Sequence, residues 1–207
     1  MTLANELLNT EKWVQQLPKI GVDTLGGKGA PIFILDFIMI GALKRTLSLA
    51  SGIQTMVKER NMVCARAMLR MHLDTVSRIL AYTYVSNPED MAKKIIGGTP
   101  LNKFKATDNQ ALRDAYLVER MSKEHPWVSD VYKSTSGYVH FSESQFFDSI
   151  QSVGNEQENT FQLAASHIDS KYPEDSWIEV TACFNHLTEI LVSVFTSYKN
   201  SKNSLGQ

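Results

Sequence analysis

The stretch Pro173–Tyr198, PEDSWIEVTACFNHLTEILVSVFTSY, brings apolar residues back every three or four positions. That spacing places them on one side of an α-helix, with the polar residues on the other. The Pro-Glu-Asp at its start is typical of a helix N-terminus, where the helix dipole favours acidic side chains. We therefore predict a long helix that packs along a helical bundle. Its apolar side carries Trp177, Val180, Phe184, Leu187, Leu191, Val194 and Tyr198.

Helical periodicity extends through most of the chain, and prolines and glycines separate the segments. No segment combines sustained apolar and polar alternation with flanking hairpin turns, the pattern of a sheet protein. The predicted fold class is therefore all-α, a helical bundle formed by a single domain at residues 1–199 and followed by a polar tail at residues 200–207. The other helices are predicted at residues 3–17, 31–57, 59–85, 88–96, 109–124 and 127–136, with Pro18, Pro126 and Gly137 among the residues that end them.

The composition limits the class of protein. A chain of 207 residues is long enough for one sizeable core. Its formal net charge of -1 gives no overall positive field, so any nucleic-acid site must be local. The apolar run Pro31–Leu43 is too short to cross a bilayer, and the N-terminus lacks the pattern of a secretory signal. Cys64 and Cys183 lie far apart in apolar segments, as free thiols do. We predict a cytoplasmic protein without membrane contact.

The sequence supports neither a phosphate-binding loop nor a carboxylate-bridged metal site. The stretch Gly21–Gly29, GVDTLGGKG, resembles a phosphate-binding loop, but five residues separate Gly21 from Gly27 where that loop has four. No apolar strand precedes it, and we interpret it as a flexible connector. No Glu-x-x-His pair is present for a carboxylate-bridged metal site, and the five histidines are scattered. No metal and no cofactor is predicted.

One predicted helix carries charges on an otherwise apolar surface. Arg66, Arg70, Asp74 and Arg78 recur every fourth residue, so each is a neighbour of the next. Asp74 can pair with Arg70 on one side and with Arg78 on the other, whereas Arg66 has no acidic residue three or four positions away. Two arginines about 6 Å apart in a partly buried groove repel by roughly 3 kcal/mol, and a bound anion would offset that cost. The alternative is a carboxylate from another helix, either Asp36 or Glu119.

A second unusual segment is Ser134–Ser142, STSGYVHFS. Gly137 can end a helix in a left-handed conformation and let the chain carry Tyr138 and His140 away from the helix. Histidine is the side chain that most readily passes protons in both directions at physiological pH, so one that is held there and open on one side suits proton transfer. The alternative is a structural histidine that only donates a hydrogen bond, which is the commoner use of such a residue.

The two segments ARAMLRMHLD, at residues 65–74, and YKSTSGYVHFS, at residues 132–142, together resemble a group of bacterial all-α proteins. Members of that group pair an Arg-bearing Leu-Leu-Arg-x-x-Leu-acidic helix with a later segment of the Ser-x-Tyr-x-His type. The group in turn is similar to the HEPN superfamily, and the resemblance covers residues 42–142. It implies a helical bundle, often a symmetric homodimer, found in toxin-antitoxin pairs and antiviral defence. Active members are metal-independent endoribonucleases.

The resemblance also implies a set of site residues. In those ribonucleases an arginine is followed four to six residues later by a histidine, and the two copies meet at the dimer interface. His140 matches the histidine, but Lys133, Ser134 and Thr135 stand where the arginine is expected. A lysine lacks the guanidinium fork that binds a phosphate in two places, and the earlier helix offers Arg66 or Arg70 as the source of that cation. The implied catalytic residues are His140, Arg66 and Arg70, and the implied phosphate- or substrate-binding residues are Lys133, Tyr138 and Asp74.

Three functions follow from these features. The first is a HEPN-like protein that binds RNA or a nucleotide, either without catalysis or as a metal-independent endoribonuclease. The second is a noncatalytic interaction module, or an antitoxin-like partner, whose arginines engage an acidic surface on another protein. The third is a small-molecule sensor with a pocket between its helices, since bundle cores readily host ligands.

Overall fold

The structure, a computed structural model, describes residues 2–26, 30–140, 150–153, 161–163 and 166–205. Within these residues the chain forms seven α-helices and two short antiparallel strands that pair with each other. The helices are α1 (Leu3–Leu25), α2 (Ile34–Lys58), α3 (Met62–Leu80), α4 (Pro88–Ile96), α5 (Asp114–Glu124), α6 (Trp127–Val139) and α7 (Glu174–Leu205). The strands are β1 (Ile150–Val153) and β2 (Phe161–Leu163).

The long helix predicted from the C-terminal periodicity is α7, and it forms much of the core. It packs against α1, α2 and α3, and α3 in turn packs against α2, α5 and α6. The predicted all-α bundle is confirmed, with the strand pair as the only β-structure of more than one residue in the described ranges. Tyr198 is partly buried, and the other six residues of the predicted apolar side are buried: Trp177, Val180, Phe184, Leu187, Leu191 and Val194.

One described helix also meets the length and composition of a membrane span. The segment from Glu174 to Lys202, within α7, contains an 18-residue window with a mean hydropathy of 1.3. Inside the bundle, 56% of that window is buried. The core helix of a helical bundle meets the same two criteria, because its apolar side must be long and continuous.

The first helix is longer than its sequence suggests. Pro18 was predicted to end it, and that prediction is wrong, because α1 continues to Leu25. Pro18 is exposed, so water can reach the carbonyl group that its missing N–H leaves unbonded. One turn later Gly21 lies so close to α2 that a Cβ atom would stand 3.2 Å from Leu43 Cδ1. Packing between the two helices therefore holds α1 past the proline, and the predicted connector shrinks to the residues after Leu25.

The end of α7 also differs from the sequence interpretation. Residues 200–205, predicted as part of a polar tail, continue the helix, and Lys202 is buried. Its ammonium group lies 2.7 Å from Asp36 Oδ2 and 3.1 Å from the Leu25 carbonyl oxygen. The Tyr198 hydroxyl donates to Asp36 Oδ1 at 2.9 Å, and the Phe33 amide donates to Oδ2 at 2.8 Å. One buried carboxylate thus joins the ends of α1 and α7 to the start of α2.

Removal of this carboxylate is predicted to destabilise the bundle strongly. Asp36→Ala leaves the Lys202 charge buried without its counterion, which typically costs about 3 to 5 kcal/mol. The matched control is Asp23→Ala, because Asp23 on α1 and Lys199 on α7 form an exposed pair at 3.8 Å near the same end of α7. That control should lose less than about 1 kcal/mol. Urea unfolding measures both values, and equal losses in the two variants would contradict the role of the buried pair.

His72 lies inside the core rather than on the surface. Its side chain is fully buried and stacks on Phe184, with the ring centroids 4.2 Å apart. Nε2 lies 3.0 Å from the Thr188 hydroxyl, which itself donates to the Phe184 carbonyl, so Nε2 must carry the hydrogen. Burial lowers the pKa of His72 to about 3, and the charge of Arg45 acts in the same direction. The imidazole is therefore neutral in the folded protein.

This histidine makes the free energy of unfolding depend on pH. The unfolded chain binds a proton near pH 6.5, whereas folded His72 resists protonation down to about pH 3. Stability is therefore fully present above about pH 6.5 and falls by up to about 1.4 kcal/mol per pH unit as the pH drops below it. Urea unfolding between pH 4.5 and 7.5 should show a flatter profile for His72→Gln than for wild type. His186→Gln, at an exposed histidine, should leave the slope unchanged.

Candidate functional site

The two unusual sequence segments meet where α3 packs against α6. Arg66, on α3, donates from Nη1 to the hydroxyl group of Tyr138, on α6. The same nitrogen lies 3.4 Å from the Tyr172 hydroxyl, just before α7. The guanidinium carbon stands 5.0 Å from the Tyr138 ring centroid and 4.8 Å from that of Tyr172, within the range of cation–π attraction. Arg66 is thus held between two aromatic rings, one of them two residues before His140.

Arg70 lies one turn further along α3 and is much more deeply placed. Only 8% of its surface is exposed. Its Nε donates to Asp74 Oδ1 at 3.1 Å, and its guanidinium carbon lies 3.8 Å from the centroid of the Tyr132 ring. Nη1 is buried and has no hydrogen-bond partner among the described residues. Since buried donors are normally hydrogen-bonded, the hydrogen bonding around this nitrogen is incomplete.

Gly137 does not end its helix, and that prediction is wrong. The glycine lies within α6, which continues to Val139. Tyr138 is consequently buried on the helix side that faces α3, with 7% of its surface exposed, instead of being carried away from the helix. His140 follows as the C-terminal capping residue in an extended conformation and is exposed. Residues 141–149, which include the end of the predicted segment, lie outside the described ranges.

The predicted phosphate-binding residues differ in exposure. Lys133 is exposed on α6, and Asp74 is partly exposed on α3. The two carboxylates named as alternative partners of the arginines are engaged elsewhere, because Asp36 binds Lys202 and Glu119 lies 3.8 Å from Lys123. The structure therefore brings together Arg66 with Tyr138, and Arg70 with Asp74.

The row of charges on α3 does not stay on one surface. A residue every fourth position drifts by about 40° per step around a helix with 3.6 residues per turn. Arg78 therefore points about 120° away from Arg66 and lies by α5, where its Nη2 contacts Asp114 Oδ1 at 3.4 Å. Asp74 serves Arg70 only, so the prediction that it also pairs with Arg78 is wrong in this structure.

Sequence reasoning missed the aromatic partners of the two arginines. Tyr132 lies in α6 and Tyr172 precedes α7, so neither is a neighbour of α3 in sequence. The signal that was available is the high local content of tyrosine around the histidine segment, with Tyr132 and Tyr138 six residues apart on one helix. Aromatic side chains and arginines recur together in such pairs because the ring face attracts the cation.

Other reactive groups in the described ranges do not form a metal or cofactor site. No group of three or more His, Cys, Asp or Glu side chains among these residues is arranged to hold a metal ion. Burial raises the pKa of the Cys183 thiol to about 12, so this thiol stays protonated and unreactive at neutral pH. Comparisons of the chain with protein-family models, with curated proteins and with solved structures gave no match.

The two ion pairs on α3 differ in burial, and this difference gives a prediction about the free energy of unfolding. Asp74→Asn removes the carboxylate partner of the buried Arg70, and we expect a loss of about 1 to 2 kcal/mol. Asp114→Asn removes the partner of the exposed Arg78 and should cost less than about 0.5 kcal/mol. Urea unfolding of both variants measures the difference. Similar losses at the two positions would show that Arg70 does not depend on its carboxylate.

Proposed function

We propose that this chain is a HEPN-like cytoplasmic protein that binds RNA or a nucleotide at the face formed by α3 and α6. The observation that carries the proposal is the contact between Arg66 and Tyr138. It joins the arginine helix to the segment that bears His140, although 72 residues separate the two contacting side chains. The HEPN-like resemblance rests on these same two segments.

The chemistry of the face suits a phosphate group with an adjacent base or ribose. Arg66 is half-buried, and its charge is held in place by two tyrosine rings rather than left on a flexible side chain. Arg70 is buried below the surface and paired with Asp74, while its Nη1 has no hydrogen-bond partner among the described residues. Lys133 is exposed on α6 and supplies a flexible cation that can reach a bound phosphate.

In the catalytic form of the proposal, His140 transfers protons during RNA cleavage. Its imidazole accepts the proton of a ribose 2'-hydroxyl, and the 2'-oxygen attacks the adjacent phosphorus. The bond from phosphorus to the 5'-oxygen then breaks, and the leaving oxygen takes a proton from an imidazolium. Arg66, Arg70 and Lys133 stabilise the charge that develops on the phosphorane. A homodimer would bring two such sites together, as the resemblance implies.

A noncatalytic module is the second candidate. It is favoured by the position of Lys133, which replaces an arginine in the pattern of the active HEPN ribonucleases and cannot grip a phosphate in two places. The contacts of Arg66 and Arg70 with tyrosines and with Asp74 also suit a structural role. In this form the chain binds RNA or an acidic protein partner, as an antitoxin-like subunit does, without cleaving RNA.

Incubation of purified protein with mixed cellular RNA in EDTA tests the catalytic form. We expect cleavage by wild type, and a loss of about 100-fold or more in rate for His140→Ala, because a general acid–base residue contributes that much. His186→Ala is the matched control, since this exposed histidine lies on α7 and should leave the rate unchanged. Equal cleavage by wild type and His140→Ala would point to a contaminating nuclease.

Binding distinguishes the two remaining forms. If wild type binds a labelled oligoribonucleotide but does not cleave it, the noncatalytic RNA-binding form is supported. If neither binding nor cleavage is detected, while a protein partner copurifies in stoichiometric amount without nucleic acid, the RNA proposal is wrong. The ratio of absorbance at 260 and 280 nm of the copurified material separates these outcomes.

A further inference from the structure

A polar groove runs between α2 and α3, on the opposite end of α3 from Arg66. Its volume is about 430 Å³. The side chains of Arg45, Asp74, Thr75 and Arg78 supply its polar lining. The apolar part of the lining consists of Ile38, Gly41, Ala42 and Ile79. Of the site residues predicted from the sequence, Asp74 lines this groove, and Arg78 belongs to the same row of charges on α3.

Arg45 is the cation of this groove that has no counterion in the described part of the chain. Its Nε donates a hydrogen bond to the Thr75 hydroxyl at 3.0 Å, and the Thr75 hydroxyl donates in turn to the Met71 carbonyl oxygen at 2.8 Å. The guanidinium is thus oriented by a neutral oxygen, and among the described residues no carboxylate lies within ion-pair distance of it. An oriented arginine whose remaining N–H groups are unpaired is suited to a bidentate contact with an oxyanion.

Gly41 leaves space where the groove meets the backbone of α2. A Cβ atom built on this glycine would have no heavy atom within 4 Å of it, in contrast to Gly21 and Gly52, whose neighbours lie at 3.2 and 2.9 Å. No close approach of another helix therefore requires a glycine at this position. A glycine inside an exposed helix is unfavourable compared with alanine, so its presence in α2 calls for another reason. Close approach of a ligand to the helix backbone is such a reason.

The positive lining continues beyond the groove. Arg78 also lines a second cavity of about 330 Å³, together with Arg113 and Asp114. Arg113 is exposed and, like Arg45, has no ion-pair partner in the described part of the chain. The two carboxylates at these cavities, Asp74 and Asp114, are already paired with Arg70 and Arg78. The unpaired charge that faces the two cavities is therefore positive.

We infer that these adjoining cavities bind consecutive phosphate groups, with Arg45 at one end, Arg78 between them and Arg113 at the other. The ligand is a nucleotide with at least two phosphates or a segment of single-stranded RNA, which share this chemistry. The choice of ligand class rests on the proposed function. The groove shares Asp74 with the α3–α6 face, where Asp74 pairs with Arg70, but Arg45 and Arg113 take no part in that face, so variants of these two arginines test the groove separately.

Phe37 allows binding of a nucleotide or of single-stranded RNA to be distinguished from binding of a phosphate without a base. It lies one helical turn before Gly41, and 61% of its surface is exposed. An exposed ring beside a positive groove is the arrangement on which bases stack in proteins that bind single strands. Phe37→Ala should therefore weaken binding of a nucleotide or an oligoribonucleotide while leaving the binding of pyrophosphate unchanged.

Isothermal titration calorimetry with pyrophosphate, ADP and a ten-residue oligoribonucleotide tests the inference at about 50 mM salt, where phosphate contacts are strongest. Wild type should bind at least one of these three probes. Arg45→Ala should lower its affinity by about tenfold, as loss of a charge-assisted contact does. Lys44→Ala is the matched control, because it removes the same charge from the neighbouring exposed position outside the groove and should change affinity by less than about twofold.

A second variant protects the test against misfolding. Gly41→Leu fills the groove while replacing a helix-interior glycine by a good helix former, so its melting temperature should equal or exceed that of wild type. Its affinity should nevertheless fall about tenfold or more, because the ligand loses its approach to α2. Absence of binding for all three probes, equal effects of Arg45→Ala and Lys44→Ala, or full affinity in Gly41→Leu would each overturn the inference. RNA binding that survives in Arg45→Ala but fails in Arg66→Ala would leave the proposed function standing without this groove.

Discussion

The buried carboxylate of Asp36 is the constraint on which the arrangement of the long helices depends. It accepts hydrogen bonds from the Phe33 amide, the Tyr198 hydroxyl and the Lys202 ammonium group, and Lys202 also donates to the end of α1. A buried ion is tolerated only when its charge and its hydrogen-bonding capacity are met in full, so the three helix ends must keep this geometry together. The position of α2 that results places Arg45 beside Thr75 of α3 and leaves Gly41 lining the groove between the two helices.

Local patterns account for what the sequence predicted correctly. The buried side of α7 from Trp177 to Val194 was predictable, because helical spacing alone determines which residues lie on the same side of a helix. The three differences arise where tertiary contacts overrule a local preference. Packing of Gly21 on Leu43 carries α1 past Pro18, α6 continues through Gly137 where Tyr138 contacts Arg66 of α3, and burial of Lys202 keeps a polar segment helical. None of these contacts has a signature within a few residues of the place where it acts.

The candidate site was predictable in part for the same reason. The pairing of Arg70 with Asp74 follows from their spacing on one helix. The partners of Arg66 and Arg78 come from α6, from the residues before α7 and from α5, and sequence spacing says nothing about such partners. The drift of the charge row around α3 was nevertheless calculable from helix geometry, and it separates the arginines into a pair that faces α6 and one that faces α2 and α5.

The two cationic regions of α3 differ in what they can do with an anion. Arg66 and Arg70 are already engaged by tyrosine rings and by Asp74, so an anion there adds to a formed network or competes with it. Arg45 is exposed and oriented by a neutral hydroxyl, so an anion at the α2–α3 groove displaces only water. In a chain of net charge -1 the long-range field is weak, and screening confines attraction to about 10 Å at moderate salt. For the phosphate binding that we propose, the largest contributions are therefore expected from Arg45 and Arg113, which have no carboxylate partner among the described residues, whereas Arg66 and Arg70 must first adjust the contacts that they already make.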